Sequence, residues 1–200
     1  MTQTALETPQ RPELTLPPAE AEALRTAYES ADVILEYGSG GSTLVAAEMG
    51  KTVFAVESDP NWAQMMRDWF AANPPSGRVQ IVHADIGPTK EWGHPVDHAA
   101  WRSFAGYPLA IWDRKGFQQP DVVLVDGRFR VGCALATAFR TQKPVTLLFD
   151  DYVKRENYHV IEKFLGQPTV LIGRMAVFET TPTPIPAEHL LRVVQLMSRP

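Results

Sequence analysis

Five short apolar runs alternate with helix-patterned segments along this chain, and that alternation limits its fold more than any other feature. The runs are Val33–Tyr37 (VILEY), Thr52–Glu57 (TVFAVE), Val79–His83 (VQIVH), Asp121–Val125 (DVVLV) and Val145–Phe149 (VTLLF). Each is apolar almost without interruption, as in strands whose two faces are both buried. Helical patterns separate them: STLVAAEMG ending on Gly50, NWAQMMRDWFAA with Asp59 or Asn61 as its cap, VGCALATAFR, and a segment near NYHVIEKFL. Strands joined through helices pair in parallel and are covered on both sides, so the expected class is α/β, a doubly wound sheet. Such sheets bind ligands at the C-terminal ends of their strands, where strand order reverses.

The flanks refine this plan. TVLIG and MAVFET are separated only at Gly173-Arg174, which is hairpin spacing and requires one antiparallel strand. Residues 1–16 are polar and proline-bearing and read as a loosely held arm. A helix starts near Pro17 and Pro18, the body runs over 17–180, and 181–200 form an extension. Its AEHLLRVVQLM has a helical apolar pattern that suits either the body or another subunit of a homo-oligomer. The N-terminus shows no apolar run behind basic residues, and no stretch of about twenty apolar residues occurs, so neither a signal nor a membrane anchor is expected and the cytoplasm is the default compartment. A formal charge of −4 offers polyanions no general attraction, which argues against nucleic acid and for a small-molecule partner. The single cysteine, Cys133, reads as a small buried apolar residue.

The first strand runs into a glycine-rich turn, Leu35-Glu36-Tyr37-Gly38-Ser39-Gly40-Gly41-Ser42-Thr43. Gly38 and Gly40 fit a dinucleotide fingerprint, but Thr43 stands where its third glycine belongs. Glu36 is a poor neighbour for a pyrophosphate and a good one for a cation. S-adenosylmethionine, which carries an ammonium and a sulfonium and no phosphate, suits this turn; a nicotinamide dinucleotide suits it less. Glu57, ending the second strand, is placed to accept from ribose hydroxyls. Asp85, in HADIG after the third strand, is placed to accept from the adenine amine or to cap its own turn. Gly50-Lys51-Thr52 enters a strand rather than a helix, so it is no phosphate loop.

With LEYGSGGST, VFAVESDP, HADIG, DVVLVDG and TLLFDD in this order, the chain resembles the class I S-adenosylmethionine-dependent methyltransferase family over roughly residues 33–180. The resemblance implies a Rossmann-like sheet of seven strands, order 3-2-1-4-5-7-6 with strand 7 antiparallel. It carries cofactor contacts to Glu36, Gly38, Gly40, Glu57 and Asp85, with Ser39 inside the same turn. It also implies methyl transfer, here to a small-molecule hydroxyl, with a cofactor-binding protein lacking turnover as the alternative. Ser42 departs from the family's third glycine.

Asp126 follows the fourth strand, and Asp150 and Asp151 follow the fifth, so three carboxylates meet at one edge of the sheet. Close anions repel unless a cation neutralises them. One solution is Mg2+ or another divalent ion with oxygen ligands. Here the chain resembles the catechol O-methyltransferase-like branch, with Asp151 in place of an asparagine. The other solution is Arg128, Arg130, Lys154 and Arg155, which flank these acids and are also suited to gripping an acidic substrate. Asp126 is the candidate catalytic base.

Between Ile86 and Pro120 lies a connection far longer than the usual two to six residues. Its aromatic residues, Trp92, Trp101, Phe104, Tyr107, Trp112 and Phe117, suit a lid or substrate wall, or simple packing onto the sheet. His94 and His98 are four apart, but Pro95 interrupts any helix between them, which disfavours a zinc pair. Asn73-Pro74-Pro75 lies before the third strand and reads as a surface turn.

Overall fold

The computed structural model describes residues 11–200; residues 1–10 of the expected arm lie outside the described residues. The main sheet contains β1 (Val33–Tyr37), β2 (Thr52–Glu57), β3 (Arg78–His83), β4 (Val122–Val125), β5 (Val145–Phe149), β6 (Val170–Ile172) and β7 (Met175–Thr180). The helices are α1 (Pro18–Ser30), α2 (Gly41–Glu48), α3 (Pro60–Ala72), α4 (Trp101–Phe104), α5 (Gly106–Leu109), α6 (Arg130–Arg140), α7 (Glu162–Leu165) and α8 (Leu190–Met197). The strand order is 3-2-1-4-5-7-6, with β7 antiparallel to both β5 and β6. This is the Rossmann-like sheet expected from the sequence.

The pleat explains the continuous apolar runs. Ile34, Val53, Leu124, Leu148 and Val177 point into one core with Leu24 and Tyr28 of α1. Leu35, Phe54, Val123, Leu147 and Phe149 point into the other, against Cys133 and Leu135 of α6 and Leu196 of α8. Alternate side chains face opposite layers, so a strand covered on both sides carries no polar face. Among the two expected caps of α3, Asp59 is the one used: its carboxylate accepts from the amides of Asn61 (2.8 Å) and Trp62 (3.0 Å).

Three peripheral segments are more firmly held than their sequence suggests. Of the arm, Pro12 and Leu16 are buried, and the Glu13–Leu14 backbone crosses Gly41 so closely that a Cβ there would lie 2.2 Å away. Residues 11–16 are therefore packed rather than loose. Helix α8 packs on the body, burying Val193, Leu196 and Met197 while Leu191 and Val194 stay exposed. The long connection forms a small ribbon (Thr89–Lys90 with His94–Pro95), then α4 and α5. Phe104, Tyr107 and Trp112 are buried, whereas Trp92 and Trp101 are exposed. Tyr37 of β1 fastens this segment, donating to the Pro108 carbonyl (2.6 Å) and accepting from the Trp112 indole (2.8 Å). Among the described residues no helix is long and apolar enough to cross a membrane.

Candidate functional site

The C-terminal ends of β1, β2, β4 and β5 converge on one cleft. At its centre the turns after β1 and β4 touch back to back. Gly38, at φ 107°, donates its amide to the Val56 carbonyl (2.8 Å). A Cβ on Gly127 would lie 2.2 Å from the Tyr107 hydroxyl and 2.8 Å from the Gly38 nitrogen. Neither position accepts a side chain, because backbone must approach backbone there. The non-glycine residues with positive φ among the described residues, Trp92, Phe129 and Asp151, all lie in the loops around this cleft.

Ser39 and Glu57 join the glycine turn to the end of β2. One Glu57 oxygen accepts from the Ser39 amide (3.2 Å) and hydroxyl (3.0 Å); the other accepts from the amides of Ser58 (2.7 Å) and Asp59 (3.0 Å). Burial pushes its carboxyl pKa up, and the hydrogen bonds from Asp59 and Ser39 oppose that rise. The Trp62 indole donates to the Ser39 carbonyl (2.7 Å), covering the turn. Glu57 thus ties the glycine turn to the end of β2, a role not anticipated from the sequence.

Glu36 stands elsewhere than expected. It is fully buried, and its two oxygens accept from the Tyr28 hydroxyl of α1 (2.6 Å) and from the Thr43 hydroxyl of α2. Thr43 in turn accepts from the Gly40 amide (3.0 Å). The acid therefore reaches the turn through Thr43 and does not open into the cleft. Burial raises its pKa from 4.5 to about 7, against the hydrogen bonds from Thr43 and Tyr28.

Beside the turn lies a cavity of about 300 Å³ lined by Val56, Val82, Ala84, Asp85, Tyr107 and Ile111, among others. It is an apolar slot with one exposed carboxylate, the composition that holds a planar heterocycle and orients it. Asp85 lines this slot and also accepts from the Gly87 amide (2.9 Å), the turn-capping use expected of it.

The three aspartates do come together, and guanidinium groups occupy them. Arg130 donates to Asp126 (3.0 Å) and lies 3.3 Å from Asp151; Arg155 reaches Asp151 at 2.8 Å. Arg174 grips fully buried Asp150 through two nitrogens (2.9 and 2.7 Å). Arg174 was missed in the sequence because it sits in the β6–β7 hairpin; the turn signal at Gly173 marked the bend but not its reach. Buried Glu20 of α1 aims the hairpin by accepting the Arg174 amide (2.7 Å). Of the four cations near these acids in sequence, Arg130 and Arg155 pair with them and Arg128 turns away to His94.

This donor set does not fit the expected divalent ion. A cation bound by Asp126 and Asp150 would sit against Arg130 and Arg174, which already take the carboxylate lone pairs. Among the described residues no group of three His, Cys, Asp or Glu side chains is arranged to hold a metal. The guanidinium alternative is the one the geometry realises.

Within this network the aspartates are unequal. Burial, then the nearby Asp150 carboxylate, holds Asp126 well above the usual carboxylate range against the attraction of Arg130. Burial acts on Asp150 the same way, but its hydrogen bonds to Arg174 and the attraction of that cation hold it below the range. Asp126 is packed deep in the surrounding protein, yet a third of its side-chain surface remains open. The other expected residues separate: His94 takes a hydrogen bond from Arg128, whereas His98 lies against the Phe104 ring. Cys133 is fully buried and structural.

No family model matches the chain, and no curated protein matches it. Among solved structures, a methyltransferase-like protein from Silicibacter pomeroyi is 63% identical, covering 95% of this chain and 99% of that one, with a TM-score of 0.92. A methyltransferase from Geobacter sulfurreducens is 13% identical over 83% of this chain and 80% of that one, with a TM-score of 0.53. A SAM-dependent O-methyltransferase from Thermotoga maritima is 15% identical over 79% and 52%, with a TM-score of 0.52. The two distant structures share the fold alone. With the strand order, the glycine turn at its centre and the near full-length relative in hand, the chain belongs to the class I S-adenosylmethionine-dependent methyltransferase family.

Proposed function

We propose that this protein transfers a methyl group from S-adenosylmethionine to the hydroxyl of a small molecule, with Asp126 as the general base. The observation that carries this reading is the position and state of Asp126. Its backbone abuts Gly38, within 3.4 Å of where a Cβ would stand, and its carboxyl is held toward the protonated form beside an open cleft. A carboxylate with elevated proton affinity is a better base for a hydroxyl than an ordinary one.

The cofactor residues are Gly38, Ser39 and Gly40 at the turn, Glu57 at the end of β2, and Asp85 at the apolar slot. The four acceptor positions of the Glu57 carboxylate are taken up by Ser39, Ser58 and Asp59, and the rotatable Ser39 hydroxyl is the donor that a ribose hydroxyl replaces. Bound S-adenosylmethionine supplies a methyl carbon already activated by its sulfonium. The chain's task is then alignment and removal of one proton. Asp126 takes that proton from the acceptor hydroxyl, and Arg130 holds the Asp126 carboxylate in place. Buried Tyr107 and the fastened segment 104–112 wall the slot against water.

The test is calorimetric titration of the purified chain with S-adenosylmethionine, with NAD as the matched control, followed by an acceptor screen that reads release of S-adenosylhomocysteine. Saturable binding of S-adenosylmethionine alone, with turnover on a hydroxyl acceptor, is the expected result. Binding of NAD instead overturns the reading. Binding without turnover across the screen assigns a cofactor-binding protein.

A further inference from the structure

A second cavity, of about 200 Å³, opens on the other side of Gly127. Arg128, Arg130, Arg155, Arg199 and His94 line it together with Tyr158, and no aspartate or glutamate side chain does. Arg130 and Arg155 already pair with Asp126 and Asp151 behind this wall, so its open charge lies with the remaining cations.

The state of each cation matters. Arg130 is spent: it donates to the carbonyls of Gly127 (3.0 Å), Asp150 (2.6 Å) and Asp126 (2.9 Å) as well as to the Asp126 carboxylate. Arg155 gives one nitrogen to Asp151 and another to the Tyr158 hydroxyl (3.1 Å), with its guanidinium 5.6 Å from the Tyr158 ring centre. Arg128 is different. It donates to His94, and its buried Nε has no hydrogen-bond partner. Burial and the Arg128 charge lower the pKa of His94, so the imidazole is neutral and leaves the positive charge uncompensated. A buried donor without an acceptor is disfavoured, and a buried guanidinium more so.

We propose that this cavity is the anion subsite of the methyl acceptor: a carboxylate or phosphate oxyanion sits between Arg128 and Arg155 while the acceptor hydroxyl lies at Asp126. The placement follows from the chain itself, since Gly127 separates Asp126 from Arg128 and Arg130 borders both the base and the cavity. A planar guanidinium pairs with either oxyanion through parallel hydrogen bonds. This inference rests on the methyltransferase reading and narrows its substrate class to hydroxylated acids or phosphorylated alcohols.

The experiment titrates the isotope-labelled full chain, saturated with S-adenosylmethionine, with inorganic phosphate and separately with acetate, following the amides of residues 127–131 and 155–158 by NMR. Saturable shifts in these segments are expected, with affinity falling at least tenfold in Arg128→Gln and in Arg155→Gln. Lys154→Gln, an equal loss of charge next to Arg155, is expected to change it less than twofold. Saturation by phosphate alone assigns a phosphorylated acceptor; saturation by acetate alone assigns an acid. Should Arg128→Gln not fold, half-exposed Arg155 carries the comparison. Absence of saturable binding in a chain that binds S-adenosylmethionine, or an equal loss in Lys154→Gln, overturns the subsite and leaves the methyltransferase reading standing. Anion binding in a chain that does not bind S-adenosylmethionine overturns that reading instead.

Discussion

The two halves of the sheet handle buried carboxylates in opposite ways. Around β1 and β2, Glu36 and Glu57 are satisfied by hydroxyls and backbone amides, with no arginine or lysine on either. Around β4 and β5, Asp126, Asp150 and Asp151 are met by Arg130, Arg155 and Arg174. Neutral donors leave the Glu57 carboxyl beside the turn without a counter-cation, which suits a cationic cofactor, whereas Glu36 is enclosed by Tyr28 and Thr43. Guanidinium groups balance the acids of the second half three for three, and Arg128, which pairs with His94 instead, adds the positive charge that suits an anionic acceptor. The boundary is Gly127, pressed against Gly38, so each half can be tuned electrostatically without moving the other.

Three measurements probe this contrast. The largest effect is expected from Asp126→Asn, which removes the base and keeps the shape. Turnover should fall about 10²- to 10³-fold, with the affinity for S-adenosylmethionine within about twofold. In the unaltered chain Asp126 must be unprotonated to act, so the rate should rise with pH through its elevated pKa. A pH-independent rate, or retained turnover in the variant, would remove Asp126 from the chemistry.

Next is the pH dependence of stability in Glu36→Gln. In the folded chain Glu36 keeps its proton up to about pH 7, against an ordinary 4.5, so between those values the folded state binds more protons than the unfolded one. Its contribution is therefore greatest below about pH 4.5, falls as pH rises to about 7, and is flat above. The displacement corresponds to about 3 kcal/mol. Urea denaturation of both forms from pH 4.5 to 8 should give a difference curve with that slope. A flat difference would mean that Glu36 ionises freely, contrary to its enclosure by Tyr28 and Thr43.

The smallest effect is expected from Glu57→Ala, which releases the Ser39 amide and hydroxyl together with the amides of Ser58 and Asp59. Hydrogen bonds to a charged acceptor contribute about 1.5–3 kcal/mol. The affinity for S-adenosylmethionine should weaken by about 2 kcal/mol, roughly thirtyfold, in a chain that still folds. An unchanged dissociation constant would show that the turn is held by packing alone.

Most of the sheet was legible in advance, because strands covered on both faces leave a local mark: Val33–Tyr37 and Val145–Phe149 have no room for a polar side. The convergence of Asp126, Asp150 and Asp151 was legible too, since strand ends in a parallel sheet share an edge. The direction of Glu36 was partly available. It lies two residues from Ile34, and residues two apart share a face, but the sequence does not say that this face meets Tyr28 of α1. Arg174 left no local mark as a partner, being 24 residues from Asp150 in the turn that leads into a strand running the other way.

By itself, the sequence determined the order of elements, the glycine turn and the shared edge of Asp126, Asp150 and Asp151, because these follow from periodicity and chain connectivity. Tertiary structure alone decided which partner each buried polar group takes. Arg174 was delivered by an antiparallel hairpin, Tyr28 by a helix from the opposite layer, and His94 by a loop turned back onto Arg128. Ion pairing and burial act over a few ångströms in space, and chain separation carries no information about distances of that kind.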